Sequence, residues 1–175
     1  MTTNPNIRKV GSGELKNASN LFSRAVANMI ACGIYQWDEI YPDESTLSED
    51  IAKGEMYGFY QDETLCGVIV LNEVQLEPYV EVNWSFEDTK PLVVHRLCIH
   101  PDFQSRGTAY TLMKFAEDFA ARNGYRSIRL DAFKNNPAAL RLYQRLGYQM
   151  RGVIELRKGT FFCYEKLTPD ISRQI

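Results

Sequence analysis

The sequence is poor in metal ligands. It has two histidines, His95 and His100, and four widely separated cysteines, Cys32, Cys66, Cys98 and Cys163, with no Cys-x-x-Cys pair. A zinc site therefore has no support, and the thiols read as reduced, mostly buried side chains of a cytoplasmic protein. No apolar run approaches the roughly 18 residues that a membrane span requires, so no membrane role is expected. The opening Met-Thr-Thr-Asn-Pro-Asn carries no basic stretch followed by an apolar one, which argues against a secretory leader. There is no Gly-x-x-x-x-Gly-Lys-Ser/Thr and no lysine after Gly107 in its turn, which excludes a P-loop nucleotide hydrolase. An interleaved aromatic and basic pattern is also missing, so nucleic acid is not an expected partner. Without repeats, low-complexity tracts or a linker, residues 1–175 read as a single domain long enough to bury a sizeable core.

Charge is unevenly placed. The net charge of −2 conceals a stretch, 38–88, in which 14 acidic residues face one basic residue, Lys53. The chain from 89 onward carries 15 basic and 7 acidic residues. A polyanionic ligand suits the second region and a cationic one the first. The plainer alternative is that these charges solvate exposed faces.

Residues 97–110, Leu-Cys-Ile-His-Pro-Asp-Phe-Gln-Ser-Arg-Gly-Thr-Ala-Tyr, are the most informative segment. An apolar strand, Leu92–His100, runs into Pro101. A polar turn follows, and then a helix over about 105–123. In that helix Leu112, Phe115, Ala116, Phe119 and Ala120 recur at the spacing of a core-facing stripe. The turn from Gln104 to Tyr110 thus presents the unpaired N–H groups and positive dipole end of a helix. Gly107 and Ala109 allow an anion to approach the backbone. A phosphate-bearing cofactor is the physical expectation.

Elsewhere the pattern predicts strands at Asn6–Val10, Met56–Tyr60, Leu65–Asn72, Ser127–Phe133, Tyr148–Leu156 and Phe161–Leu167, with a weaker one at Tyr79–Trp84. Helices are expected at Glu14 to about Ala31, capped by Ser12, and at Asn136–Leu146, with Pro137 near its start. Short helices or turns are expected at Trp37–Tyr41 and Ser48–Lys53. The order β-α-α-β-β-β-β-α-β-α-β-β describes a mixed α/β sheet with a right-handed β-α-β unit in its middle.

Gln104-Ser105-Arg106-Gly107-Thr108-Ala109 resembles the Q/R-x-x-G-x-G/A signature of the GNAT superfamily of acetyl-CoA-dependent N-acetyltransferases. Asn136, Leu142-Tyr143 and Leu146-Gly147-Tyr148 resemble that family's downstream asparagine and L-Y-x-x-x-G-F/Y element. The resemblance is close over about 90–167. It implies a mixed, mostly antiparallel sheet with helices on both faces, splayed between central parallel strands, here Leu92–His100 and Ser127–Phe133. It further implies acetyl-CoA as the donor. Main-chain groups of Leu97, Cys98 and Ile99 would hold the pantetheine arm. The turn headed by Gln104, through Ser105, Arg106, Gly107, Thr108, Ala109 and Tyr110, would hold the diphosphate, and Asn136 the amide arm.

Transfer of an acetyl group to an amine needs a neutral amine, a donor for the developing oxyanion and a proton for the departing thiolate, but no covalent enzyme intermediate. No cysteine is therefore nominated as nucleophile, and Cys98 reads as a small packed side chain. Tyr143 stands where the family has its general acid. Its alternative role is an aromatic packed on a helix face. The base is open between His95, Asp131 and Glu81, since the glutamate that many members carry on the fourth or fifth strand is missing. Trp37, Tyr41 and Trp84 are candidate walls for the acceptor, or simply large core residues. The leading expectation is acetylation of a primary amine on a small molecule in a ternary complex. The alternatives are a protein N-terminal or lysine acetyltransferase and a non-catalytic acyl-CoA sensor or assembly domain. The resemblance also implies a homodimer as a common assembly, through the C-terminal strands.

Overall fold

The computed structural model describes residues 6–87 and 90–169; residues 1–5, read above for a leader, lie outside them. Seven strands, β1 (Ile7–Lys9), β2 (Met56–Gln61), β3 (Thr64–Asn72), β4 (Leu92–Ile99), β5 (Ser127–Phe133), β6 (Gln149–Leu156) and β7 (Gly159–Leu167), form one sheet in the order β1-β2-β3-β4-β5-β7-β6. The helices are α1 (Leu15–Ala31), α2 (Glu44–Ala52), α3 (Thr108–Arg122) and α4 (Pro137–Arg145). The β1–β2, β2–β3, β5–β7 and β6–β7 pairs are antiparallel, whereas β4–β5 is parallel. The sheet is mixed, as the element order implied, and mostly antiparallel, as the family resemblance implied. The parallel ladder joins Leu92 to Ile128 and Val93 to Arg129 and ends there, although β5 pairs with β7 along its whole length.

The chain forms two compact units, Met1–Leu71 with Arg96–Phe115 and Asn72–His95 with Ala116–Ile175. In the first, Ala18, Leu21, Phe22 and Ala25 of α1 share a core with Leu47 and Ile51 of α2, Met56, Val68 and Val70 of the sheet, and Trp37. Each large aliphatic or aromatic side chain buried there contributes about 1.5–3 kcal/mol before conformational entropy is counted. Ser12 does not cap α1. A 3₁₀ turn, Ser12–Glu14, precedes that helix, and the Glu14 carboxylate accepts the Gly11 N–H at 2.8 Å. Glu14 also accepts from Arg8 (2.8 Å) and from the Tyr60 hydroxyl (2.9 Å), tying β1, β2 and α1 together.

The second short helix begins at Glu44 rather than Ser48. Asp43 supplies its cap by accepting the Thr46 N–H at 2.8 Å, which starts the helix four residues earlier than expected. In α3, Leu112, Ala116 and Ala120 are fully buried, together with Met113. Phe115 is half-buried against Tyr57, with ring centroids 5.0 Å apart.

In the second unit the weak strand expected at Tyr79–Trp84 does not form. Glu77–Glu81 is a 3₁₀ turn with Pro78 near its start, closed by Tyr79 N–H to Leu76 O and Val82 N–H to Tyr79 O. Proline offers no ladder donor but suits the first turn of a helix, and these local bonds took the groups a strand would have needed. The segment is held by a buried charge cluster. Glu165 of β7 accepts from the Ser85 N–H at 2.8 Å and from its hydroxyl, and lies 3.6 Å from Arg129 and 3.4 Å from Arg151. Arg129 in turn donates to Gln75 Oε1 and to Phe86 O, each at 2.7 Å.

Candidate active site

The first unit holds the strand–turn–helix passage. After Ile99 the backbone turns through a 3₁₀ turn at Pro101–Phe103, where the His100 ring nitrogen Nδ1 accepts the Asp102 N–H at 3.2 Å. Two residues of the following loop, Ser105 (φ 60°) and Gly107 (φ 82°), take left-handed conformations. Glycine carries no penalty at that φ. A Cβ at Gly107 would meet no atom within 4 Å, so the space over the backbone there is open. Thr111 N–H closes the first turn of α3 onto Gly107 O at 2.9 Å. The amides of Gly107, Thr108 and Ala109 therefore lie ahead of the helical ladder, at its positive end. Donors of this kind, under open space, fit a diphosphate.

The strand side of the loop is equally constrained. Gln104 donates from its side-chain amide to Ile99 O at 3.2 Å, fastening the loop to the end of β4. Cys98 is buried, and burial pushes its thiol well above the ordinary range, so it stays protonated. Opposite it, Gly67 of β3 makes room: a Cβ there would lie 2.7 Å from Ile99 Cδ1 and 3.2 Å from Cys98 O. Gly67 was not singled out from the sequence, where a strand glycine hints at close backbone approach without saying to what.

One residue ahead of Leu97, Arg96 also has a left-handed backbone, at φ 48°. For a long side chain this costs about 1–2 kcal/mol, so its surroundings must enforce it. Its guanidinium donates to Asp50 of α2 through Nε (2.7 Å) and Nη2 (2.6 Å), and to the Tyr41 hydroxyl through Nη1 (2.7 Å). Tyr41 is partly exposed in a turn closed by Asp38, whose carboxylate accepts the Ile40 and Tyr41 N–H groups at 3.1 and 3.2 Å. Trp37 is buried against Phe22, with ring centroids 5.5 Å apart.

The second unit holds the remaining candidates. Tyr143 of α4 is buried between Tyr148 and Tyr164, at centroid distances of 6.0 and 5.9 Å. Burial, with the charge of Asp131 and then Tyr164, pushes its phenol well above the ordinary value, so it holds its proton at neutral pH. Asp131 of β5 accepts from the Tyr79 hydroxyl at 2.7 Å. Burial raises its carboxyl above the usual carboxylate range, and the Tyr79 bond offsets part of that rise. Tyr79 is a second residue missed from the sequence, because 52 positions separate it from Asp131.

His95 Nε2 lies 3.0 Å from Val74 O. A carbonyl only accepts, so the hydrogen sits on Nε2, and in the neutral ring the basic lone pair is on Nδ1. Glu81 is exposed at the end of the 3₁₀ turn. Trp84 donates its indole N–H to Tyr79 O (2.9 Å) and packs on the Arg129 guanidinium, 4.4 Å from its ring. Asn136 caps α4, accepting the Ala139 N–H at 3.2 Å. Among the described residues, no three His, Cys, Asp or Glu side chains cluster as a metal site would require. No helix among them is long and apolar enough to cross a membrane.

A model of the acetyltransferase (GNAT) family matches residues 23–148, which include the strand, the open loop and the helix that carries Tyr143. The chain belongs to the GNAT acetyltransferase family. It is 27% identical over 140 residues to a streptothricin acetyltransferase of Escherichia coli, a match covering 80% of this chain and 66% of that one. The chain spans between 34% and 66% of the length of the curated relatives it matches. A GNAT-family acetyltransferase from Streptococcus agalactiae superposes with a TM-score of 0.82 at 23% identity, over 94% of this chain and 95% of the other. The PaiA N-acetyltransferase of Thermoplasma acidophilum, solved in complex with coenzyme A, gives 0.70 at 20% identity, over 92% and 97%. At these identities the two structures speak for the fold alone. The short β4–β5 ladder lies between the two strands where the family resemblance implied a splay.

Proposed function

We propose that this GNAT acetyltransferase moves an acetyl group from acetyl-CoA to the primary amine of a small molecule, by direct attack in a ternary complex on a single domain. The observation that carries the donor assignment is the loop from Gln104 to Tyr110. Its left-handed glycine, open upper surface and helix-start amides suit a diphosphate. In this reading the main chain of Ser105 to Tyr110 holds the diphosphate, and the main chain of Leu97, Cys98 and Ile99 the pantetheine arm. Asn136, whose side-chain oxygen accepts the Ala139 N–H at the start of α4, serves the amide arm in this reading.

The acetyl donor supplies a carbonyl activated as a thioester. The protein's task is to hold an amine about 3–3.5 Å from that carbonyl and to manage two protons. Tyr143 carries its proton at neutral pH and is proposed to deliver it to the departing sulfur. Of the three candidate bases, Asp131 is favoured because burial raises its affinity for a proton, the property a base near neutrality needs. His95 through Nδ1 and exposed Glu81 remain the other proposed routes.

Three features support a small cationic acceptor. They are the acidic run from 38 to 88, the partly exposed Tyr41 ring, and a relative named for a small-molecule acceptor. Thiol release from acetyl-CoA, followed with spermidine, tyramine, lysine and streptothricin, tests the reading. Turnover with any of them, with mass spectrometry finding the acetyl group on nitrogen, supports it. Acetyl-CoA binding without turnover on these amines, but with turnover on a lysine-bearing peptide, replaces the small molecule with a protein acceptor. Absence of acetyl-CoA binding overturns the reading altogether.

A further inference from the structure

The three contacts of the Arg96 guanidinium join segments that sequence keeps 46 and 55 positions apart. Asp50 lies on the inner side of α2 and is 5% exposed; Arg96 lies in β4; Tyr41 lies in the turn between α1 and α2. All three nitrogens of the fork are engaged, two on the carboxylate and one on the phenol. The turn that bears Tyr41 is closed on itself, by Asp38 Oδ1 and by Asp38 N–H to Tyr41 O at 3.2 Å, so it moves as one piece. What locates that piece is Trp37 packed on Phe22 at one end and the Tyr41 hydroxyl on Arg96 at the other.

We infer that Arg96, clamped by Asp50, is a positioning residue that sets two things at once. It holds the left-handed backbone immediately before Leu97–Ile99, and it fixes the Tyr41 ring as a wall on the acceptor side. The inference rests on the proposed function for its kinetic consequence, but the clamp itself is a property of the folded chain. Arginine is required for geometric reasons. Lysine keeps the charge yet presents a single nitrogen, which cannot span both carboxylate oxygens and the phenol. Glycine accepts the left-handed backbone without strain but contributes no clamp. The two roles therefore separate by substitution.

The test compares Tyr41→Phe, Arg96→Lys and Arg96→Gly with the parent protein. Hydrogen exchange at the Ile40 and Tyr41 amides is the readout that needs no activity. Steady-state kinetics with acetyl-CoA, and with whichever amine of the panel above turns over best, is the second. Tyr41→Phe removes one hydroxyl and is expected to fold normally. It should speed exchange at Ile40 and Tyr41 and raise the acceptor KM about three- to tenfold, less than the full worth of one hydrogen bond to a charged partner because the lost contact acts on the acceptor only through the ring's position. It should leave kcat and the acetyl-CoA dissociation constant nearly unchanged. Arg96→Lys should do the same and weaken acetyl-CoA binding as well. Arg96→Gly should spare acetyl-CoA binding more than Arg96→Lys does, while losing as much acceptor affinity. Unchanged exchange in both Tyr41→Phe and Arg96→Lys, with both folded, overturns the clamp whatever the enzyme acetylates. Faster exchange without turnover on any amine keeps the clamp and removes the proposed acceptor class. Faster exchange with an unaltered acceptor KM overturns the wall assigned to Tyr41.

Discussion

At the scale of single residues, the environments of Tyr143 and Asp131 lead to different expectations. Tyr143 is buried among aromatic rings beside a carboxylate, which makes the phenolate costly and keeps the proton in place until charge develops on the departing sulfur that is proposed to receive it. Tyr143→Phe should lower kcat about 10- to 10³-fold, within the range for one proton-transfer group, with acetyl-CoA affinity preserved. Stopped assays of thiol release would show this, and an unaltered kcat would remove the assignment. Asp131 is a carboxyl that the fold prefers neutral. Its proton affinity in the folded chain exceeds the unfolded value of 3.8, so its contribution to stability is complete below that pH and is lost as pH rises through the folded value. Asp131→Asn has no such titration. The variant's Tm relative to the parent should therefore climb as pH is raised and level off once the parent's carboxyl is ionised, while kcat falls if Asp131 is the base. Thermal melts across pH 3–9 would record the first effect. Neither Tyr79 nor the Asp131 environment could be read from the chain, since a tyrosine in a short turn and an aspartate in an alternating strand are each unremarkable alone.

At the scale of elements, the passage from β4 through the loop to α3 was the most legible part of the molecule. Its signals are local: an apolar run, a proline, a glycine, and a periodic apolar stripe. Gly107→Val places a β-branched side chain at φ 82°, a conformation such residues rarely tolerate, and a group over the amides that the diphosphate would meet. Acetyl-CoA affinity by calorimetry should fall at least tenfold, and Gly107→Ala should lose less. Tyr79–Trp84 was misread as a strand for a comparable reason in reverse. Its alternation is real, but Pro78 and bonds spanning two or three residues close it into a 3₁₀ turn, and Glu165, distant in sequence, pins the chain that follows. The start of α2 lies four residues ahead of the expected Ser48 because Asp43 accepts the Thr46 N–H and caps the helix there.

For the molecule as a whole, charge placement controls how stability responds to acid. Glu14 accepts from Arg8, Gly11 and Tyr60, and these donors, Arg8 foremost, hold its carboxyl down at about 2 against an ordinary 4.5. The stability it supplies is complete above the ordinary value and is lost as pH falls toward 2. Glu14→Gln should accordingly lower Tm at pH 7 and narrow that deficit as the pH is taken below about 4, which melts at constant ionic strength would reveal. Fold class and family were legible in the linear order of residues. Strand, turn and helix preferences act over a few positions, and the main-chain amides that suit a diphosphate come from one uninterrupted segment. The Arg96 clamp, the Tyr79–Asp131 bond and the charge cluster around Glu165 were not legible. Each depends on a hydrogen bond between groups 46 to 80 positions apart, such as Arg96 to Asp50 and the Ser85 N–H to Glu165, and a bond of 2.6–2.8 Å exists only after the folded backbone has brought its two ends within reach.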